Sequence, residues 1–151
     1  VSAEGQSALA FDFGKRRIGV ALAQPEVQLA SALGVIAARD GDPDWQQLDR
    51  LVKEWAPARL IVGVPCEPDG SHGASAAPAL AFAERLGARY GLPLALIDER
   101  LTSHAAEAML REQRQSGLRQ RRIRSGQVDS LSARLIAESW LSQQGPRQHG
   151  N

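Results

Sequence analysis

The chain has one cysteine, Cys66, three histidines, and no apolar run near the ~20 residues that a membrane-spanning helix needs. A single thiol excludes an intrachain disulfide and fits a reducing compartment. His72, His104 and His149 show no His-x-x-x-His spacing, and a lone cysteine cannot make Cys-x-x-Cys, so cysteine–histidine metal chemistry has no support. There is no Gly-x-x-x-x-Gly-Lys-Ser/Thr phosphate loop, and the N-terminus lacks the basic-then-apolar layout of a signal peptide. These absences predict a cytoplasmic protein with no membrane partner.

What is present is an ordinary globular composition: 151 residues, 43% hydrophobic and 23% charged. That length suits one domain burying about two thirds of its unfolded surface. The expected organisation is a disordered extension over 1–7, one domain over 8–142 and a flexible polar tail over 143–151. The net charge of +1 demands no polyanionic partner, but its distribution is uneven. Between Arg111 and Arg124 six arginines face one acid, Glu112. Such a run reads either as a solvated segment or as a phosphate-binding arm.

Two apolar runs, Ala8–Phe11 and Ile18–Leu22, flank Asp12-Phe-Gly and the cations Lys15, Arg16 and Arg17, which predicts a hairpin with a charged bend. Asp12 either initiates that turn or ends a buried strand as a carboxylate in need of a compensating cation. After a loop over 25–31, Leu33–Ala37 reads as a third strand. Asp42 or Asp44 can cap a helix whose apolar face is Leu48, Leu51, Val52 and Trp55, ended by Pro57. Arg59–Val64 has no polar alternation, as expected of a strand covered on both faces. Ser71 or Ser75 can then cap a helix with the stripe Ala76, Leu80, Ala83, Leu86 and Tyr90, ended at Gly91. A fifth strand, Leu94–Ile97, leads into Asp98-Glu99. A helix from Thr102 or Ser103 to Leu110, the arginine run, and a last helix from about Gln127 to Ser142 complete the chain. This order predicts an α/β three-layer domain: a five-stranded mixed sheet, three antiparallel strands then two parallel, with helices on both faces.

In open α/β sheets functional groups gather at strand ends. Asp12 and the pair Asp98-Glu99 occupy two such ends. Side chains alternate along a strand, so only one of Asp98 and Glu99 shares a face with Asp12, and periodicity leaves the choice open. Asp129 lies on the stripe Asp129, Ser132, Ala133, Ile136 and Trp140 of the last helix, either as a metal ligand or as a first-turn acid. Three carboxylates would suit Mg²⁺ or Mn²⁺.

Four segments carry a family resemblance: Phe11-Asp-Phe-Gly-Lys-Arg-Arg-Ile-Gly-Val-Ala, Gly63-Val-Pro with Asp69-Gly-Ser, Asp98-Glu-Arg-Leu-Thr-Ser, and Val128-Asp-Ser-Leu-Ser-Ala. They resemble the motifs of the YqgF/RuvX family, whose members are described as Holliday junction resolvases or as nucleases maturing the 5′ end of pre-16S ribosomal RNA. The resemblance implies an RNase H-like fold and an acidic triad of Asp12, Glu99 and Asp129, choosing Glu99 over Asp98. It departs mildly at Val64, where Leu is common, and at Ser132, usually Ala. The loop Cys66-Glu-Pro is less typical and leaves substrate preference open.

The resulting expectation is a metal-dependent endonuclease acting on precursor rRNA or branched DNA, with two divalent ions held by the triad. Lys15, Arg16, Arg17, Arg100, Arg119, Arg121, Arg122 and Arg124 would contact nucleic acid, and Asp69, Gly70 and Ser71 would form a loop near the site. A homodimer would suit a four-way junction. Two rivals remain: a non-catalytic nucleic-acid-binding protein on the same fold, and an actin-like ATPase suggested by Asp12-Phe-Gly-Lys. Actin-like enzymes close two domains over the nucleotide, and this chain supplies one.

Overall fold

Along the first strand, alanines and large apolar residues alternate, and the two sets build two different cores. The computed structural model describes residues 7–69, 71–99 and 125–149, with side chains of the last segment over 130–144. Strands β1 (Ala8–Asp12), β2 (Arg17–Gln24), β3 (Leu29–Arg39), β4 (Asp42–Pro43), β5 (Arg59–Val64) and β6 (Leu94–Asp98) form one sheet in the order β4-β3-β2-β1-β5-β6. The first four pair antiparallel in succession, whereas β5 pairs parallel with β1 and β6 with β5. Helices α1 (Trp45–Trp55), α2 (Ala77–Tyr90) and α3 (Ser125–His149) cover it.

Leu9, Phe11, Ile18, Val20, Leu60 and Val62 pack with Leu48 of α1 and Phe82 and Leu86 of α2. On the opposite face Ala8, Ala10, Ala21, Ala23 and Ile61 pack under Ala133, Ile136, Ala137 and Trp140 of α3. Small residues on both partners let α3 approach closely, and Gly63 shows how closely. A Cβ there would lie 2.4 Å from Cδ1 of Ile136.

The sheet has six strands rather than the expected five. The sixth is the two-residue β4, joined to β3 by Asp40 and Gly41, whose φ values of 51° and 84° are those of the two-residue Asp-Gly hairpin turn. Strand β3 is also longer than the expected Leu33–Ala37, because pairing with β2 along its length captures Leu29–Ala32. Val20 pairs with Gly34 and Ala21 with Ala32, which leaves Leu33 as an extra, bulged residue.

Asp44 caps α1, accepting hydrogen bonds from the backbone N–H of Gln46 (3.1 Å) and Gln47 (3.3 Å). Leu48 is buried as expected, but Trp55, placed on the same face by periodicity, remains 36% exposed. Neither Ser71 nor Ser75 caps α2. The helix is entered through a 3₁₀ turn, Ala74–Ala76, and Pro78 in its first turn has no N–H to satisfy. Gly91, at φ 65°, closes α2 as expected. The last helix continues to His149, beyond the expected end at Ser142. The expected helix over 102–110 and the arginine run lie outside the described residues.

Candidate active site

Asp12 is the last residue of β1, paired with Gly19. Ala8 and Ala10 face α3, so the two-residue period of the strand places Asp12 on that face too. In β6, Ala95 and Ile97 belong to the same core, which puts Glu99 on the α3 face and Asp98 on the other. The N–H of Glu99 donates to the carbonyl of Val64 (2.9 Å) and holds the chain in register past the end of β6.

Strand β5 lies between β1 and β6, and its residue on the α3 face at this level is Gly63. A Cβ at 63 would stand 3.1 Å from Cγ of Glu99. The missing side chain therefore leaves room for Glu99 to reach over β5, where it shares a hydrogen bond with Asp12. Burial pushes the Glu99 carboxyl above its ordinary value, the bond with Asp12 pulls it down, and the charge of Asp98 raises it again. Two carboxyl groups drawn together at a partly buried strand end are electrostatically costly without a cation.

Asp129 lies on α3 one turn before buried Ala133, in register with the stripe that packs on the sheet; its side chain is outside the described residues. Among the described residues no group of three or more His, Cys, Asp or Glu could hold a metal ion. The described donor set is thus the pair Asp12 and Glu99.

The three cations of the hairpin turn separate. The carbonyl of Lys15 accepts from Gly41 N–H (2.9 Å) and that of Arg16 from Ala38 N–H (2.8 Å), so the β3–β4 hairpin fixes the turn. Gly14 is obligatory in it, since a Cβ would stand 2.5 Å from the carbonyl oxygen of Arg17. Lys15 and Glu99 line a cavity of about 200 Å³. Arg16 and Arg17 instead line a separate groove of about 440 Å³ with Val35, Ala37 and Gln47.

The loop after β5 closes on itself. Asp69 accepts from both the N–H (2.9 Å) and the hydroxyl (2.7 Å) of Ser71, and the Ser71 carbonyl accepts from Glu67 N–H (2.8 Å). The residues that line the cavity from this segment are Pro65 and Ser75, rather than Asp69 or Ser71. His72 is exposed, and Cys66 donates its thiol to the Val64 carbonyl (3.6 Å). Gly70, Arg100, Arg119, Arg121, Arg122 and Arg124 lie outside the described residues. Sequence reasoning did not assign Gly63, Phe13 or Ser75 to this site, although Phe13 and Gly63 fall within two of the segments that carry the family resemblance; a glycine inside a β-branched strand was a further signal for Gly63.

A protein of Yersinia pseudotuberculosis named "Putative pre-16S rRNA nuclease" is 44% identical over 136 residues, covering 90% of this chain and 94% of that relative. One of the same name from Sodalis glossinidius is 45% identical over 137 residues, covering 91% and 94%. Among solved structures, Thermus thermophilus RuvC in complex with a Holliday junction substrate superposes with a TM-score of 0.53 at 15% identity, covering 93% of this chain and 98% of that one. The yeast mitochondrial Holliday junction resolvase Ydc2 gives 0.56 at 13% identity, covering 97% and 82%. At such identities the likeness speaks for the fold, which is the RNase H-like architecture of these resolvases. The family model described as "RuvX: Holliday junction resolvase" matches residues 6–143, and the chain belongs to that family.

Proposed function

We propose that the protein is a divalent-metal-dependent endonuclease that hydrolyses phosphodiester bonds in structured nucleic acid, with the 5′ leader of precursor 16S rRNA as its first candidate substrate and branched DNA as its second. The observation that carries this reading is the meeting of Asp12 and Glu99 over Gly63. Two strands that are not neighbours deliver carboxyl groups to one point, where a shared proton relieves their repulsion and a bound cation would replace it.

Hard oxygen donors of this kind suit Mg²⁺ or Mn²⁺, and Asp12, Glu99 and Asp129 would hold two such ions. When bound, such ions supply Lewis-acid stabilisation of the phosphate and an acidified water. The chain's own residues do the rest. Asp12 and Glu99 would serve as ligands rather than as proton carriers. Lys15, which lines the same cavity as Glu99, would place a compact positive charge beside the reacting phosphate. Arg16 and Arg17 would hold the backbone further along, and the sequence makes Arg100, Arg119, Arg121, Arg122 and Arg124 candidates for further phosphate contacts.

The lone cysteine and the proposed substrate class support a cytoplasmic setting for this activity, and a two-fold homodimer would offer two such sites to a four-way junction. The test is cleavage of precursor 16S rRNA and a four-way DNA junction side by side in Mg²⁺ and Mn²⁺. Asp12→Asn is expected to lower the rate by about 10²-fold or more while binding persists. Equal cleavage by the variant would remove the carboxylate assignment. Binding without turnover in either metal would make the protein a nucleic-acid-binding module.

A further inference from the structure

The cavity beside Glu99 has apolar walls that neither phosphate nor metal binding would use. Its volume, about 200 Å³, lies below the roughly 300–1,000 Å³ typical of pockets for whole small ligands, and so accommodates one ring system rather than a nucleotide. Phe13, Pro65, Pro78 and Ala79 form its apolar walls. The Phe13 ring is fixed from behind by Phe82, centroids 5.1 Å apart, and by Gly41, where even a Cβ would come within 3.1 Å. Lys15 and Ser75 add polar atoms to the lining, and Glu99 forms the boundary with the carboxylate pair.

The charge distribution limits what can enter. An anionic group inside the cavity would meet the Glu99 carboxyl as well as the Lys15 ammonium, so repulsion by the one offsets attraction by the other. A neutral, flat, heteroaromatic group is favoured: its faces meet ring and proline surface, and its polar edge meets the Ser75 hydroxyl and the Lys15 ammonium. On the reading that Asp12 and Glu99 mark the cleavage site, the group delivered there by a bound strand is a nucleobase.

We propose that this cavity receives one unstacked nucleobase from the nucleotide adjoining the scissile phosphate. The phosphate stays with the carboxylate pair, and its base leaves the stack to enter the slot between Phe13 and the start of α2. Extracting a base from a duplex costs a few kcal/mol and is cheapest where the base is already unpaired. The site therefore selects single-stranded ends and junction centres over continuous duplex.

The experiment compares two chains of equal charge: a deoxyadenylate dodecamer and the same phosphodiester chain built from stable abasic tetrahydrofuran units. Binding to the full chain is measured by anisotropy with Ca²⁺ in place of Mg²⁺. The wild type is expected to prefer the base-bearing chain by about fivefold or more. Ser75 is exposed on the 3₁₀ turn, so Ser75→Leu fills the cavity from its rim without entering the core. It is expected to reduce the preference to less than about twofold while leaving affinity for the abasic chain unchanged. Ser75→Ala, which loses the hydroxyl but leaves the cavity open, should retain a preference above that of Ser75→Leu, and an unchanged melting temperature for Ser75→Leu excludes unfolding. Equal binding of the two chains by the wild type, no binding of either, or a preference untouched by Ser75→Leu would each overturn the proposal. If the wild type cleaves nothing in Mg²⁺ yet Ser75→Leu abolishes the preference, the base slot stands and the cleavage reading falls.

Discussion

Gly63 shows how much one absent side chain can set. It lies between Ile136 of α3 and Glu99: a hypothetical Cβ is 2.4 Å from one and 3.1 Å from the other, so a side chain there must push one or both aside. Gly63→Ala is expected to destabilise the fold by about 1–3 kcal/mol, as other overpacked cores do, and to displace Glu99 from Asp12. Urea unfolding checks the first part and cleavage the second; loss of activity with stability intact would show that Glu99 moved alone. Gly87 is the control. It lies inside α2 with nothing within 4 Å of its added Cβ, so Gly87→Ala is expected to stabilise by about 0.5–1 kcal/mol. At this scale the sequence was legible for Asp12, whose apolar neighbours advertise a buried strand end. Its periodicity was silent on Asp98 against Glu99, because alternation separates the two without saying which face α3 covers, and only the family resemblance chose Glu99. Gly63 stood in a motif segment, but the period of its apolar run carries no information about a neighbour from another strand, so its contact with Glu99 was not readable.

Elements in this fold are held by both their caps and their flanks. Helices α1 and α2 are braced where the Asp49 carboxylate accepts from Arg89 (2.9 and 2.7 Å) and from the Tyr90 hydroxyl. The guanidinium groups of Arg85 and Arg89 lie 5.1 and 4.7 Å from the Trp45 ring centroid. The Arg89 bonds, then that of Tyr90, lower the Asp49 pKa from 3.8 to about 2. A depressed carboxylate pKa contributes stability that is fully present above the unfolded value and lost as pH falls through the folded one. The brace should therefore hold above pH 3.8 and fail toward about pH 2. Asp49→Asn is expected to lower Tm at neutral pH and to narrow the Tm difference between neutral and strongly acid solution. Because the pair is exposed, added salt should shrink both effects. Thermal melts across pH check this, and an unchanged acid dependence in the variant would exclude Asp49 as a contributor. None of the brace was readable in advance, since it joins residues about forty positions apart. The helices themselves were, through Asp44, Gly91 and their apolar stripes. Strand β3 was only half legible: Ala30 to Gly34 has little strand preference of its own, and β2 imposes it.

For the molecule as a whole, the hairpin turn acts as a divide between two surfaces. On one side Lys15 joins Glu99 at the cavity; on the other Arg16 and Arg17 line the groove beside β3. Three consecutive cations read in sequence as one phosphate contact, but a turn pinned at two successive carbonyls sends them to different places. Their substitutions should separate accordingly. A cation that only neutralises backbone charge releases counterions on binding, so its removal weakens affinity and lowers the slope of log K against log salt by about 0.7–0.9. Arg16→Gln is expected to do this equally on every sequence while leaving the rate of the bound complex intact. Lys15→Gln, beside the reacting phosphate, is expected to lower that rate by about tenfold or more, with a smaller change in affinity, because an interaction strengthened in the transition state acts on kcat. Single-turnover cleavage and binding isotherms at several salt concentrations measure the two quantities independently. If Arg16→Gln lowered the rate and Lys15→Gln only the affinity, the division would be reversed, and the cleavage site would belong with the groove instead of with Asp12 and Glu99.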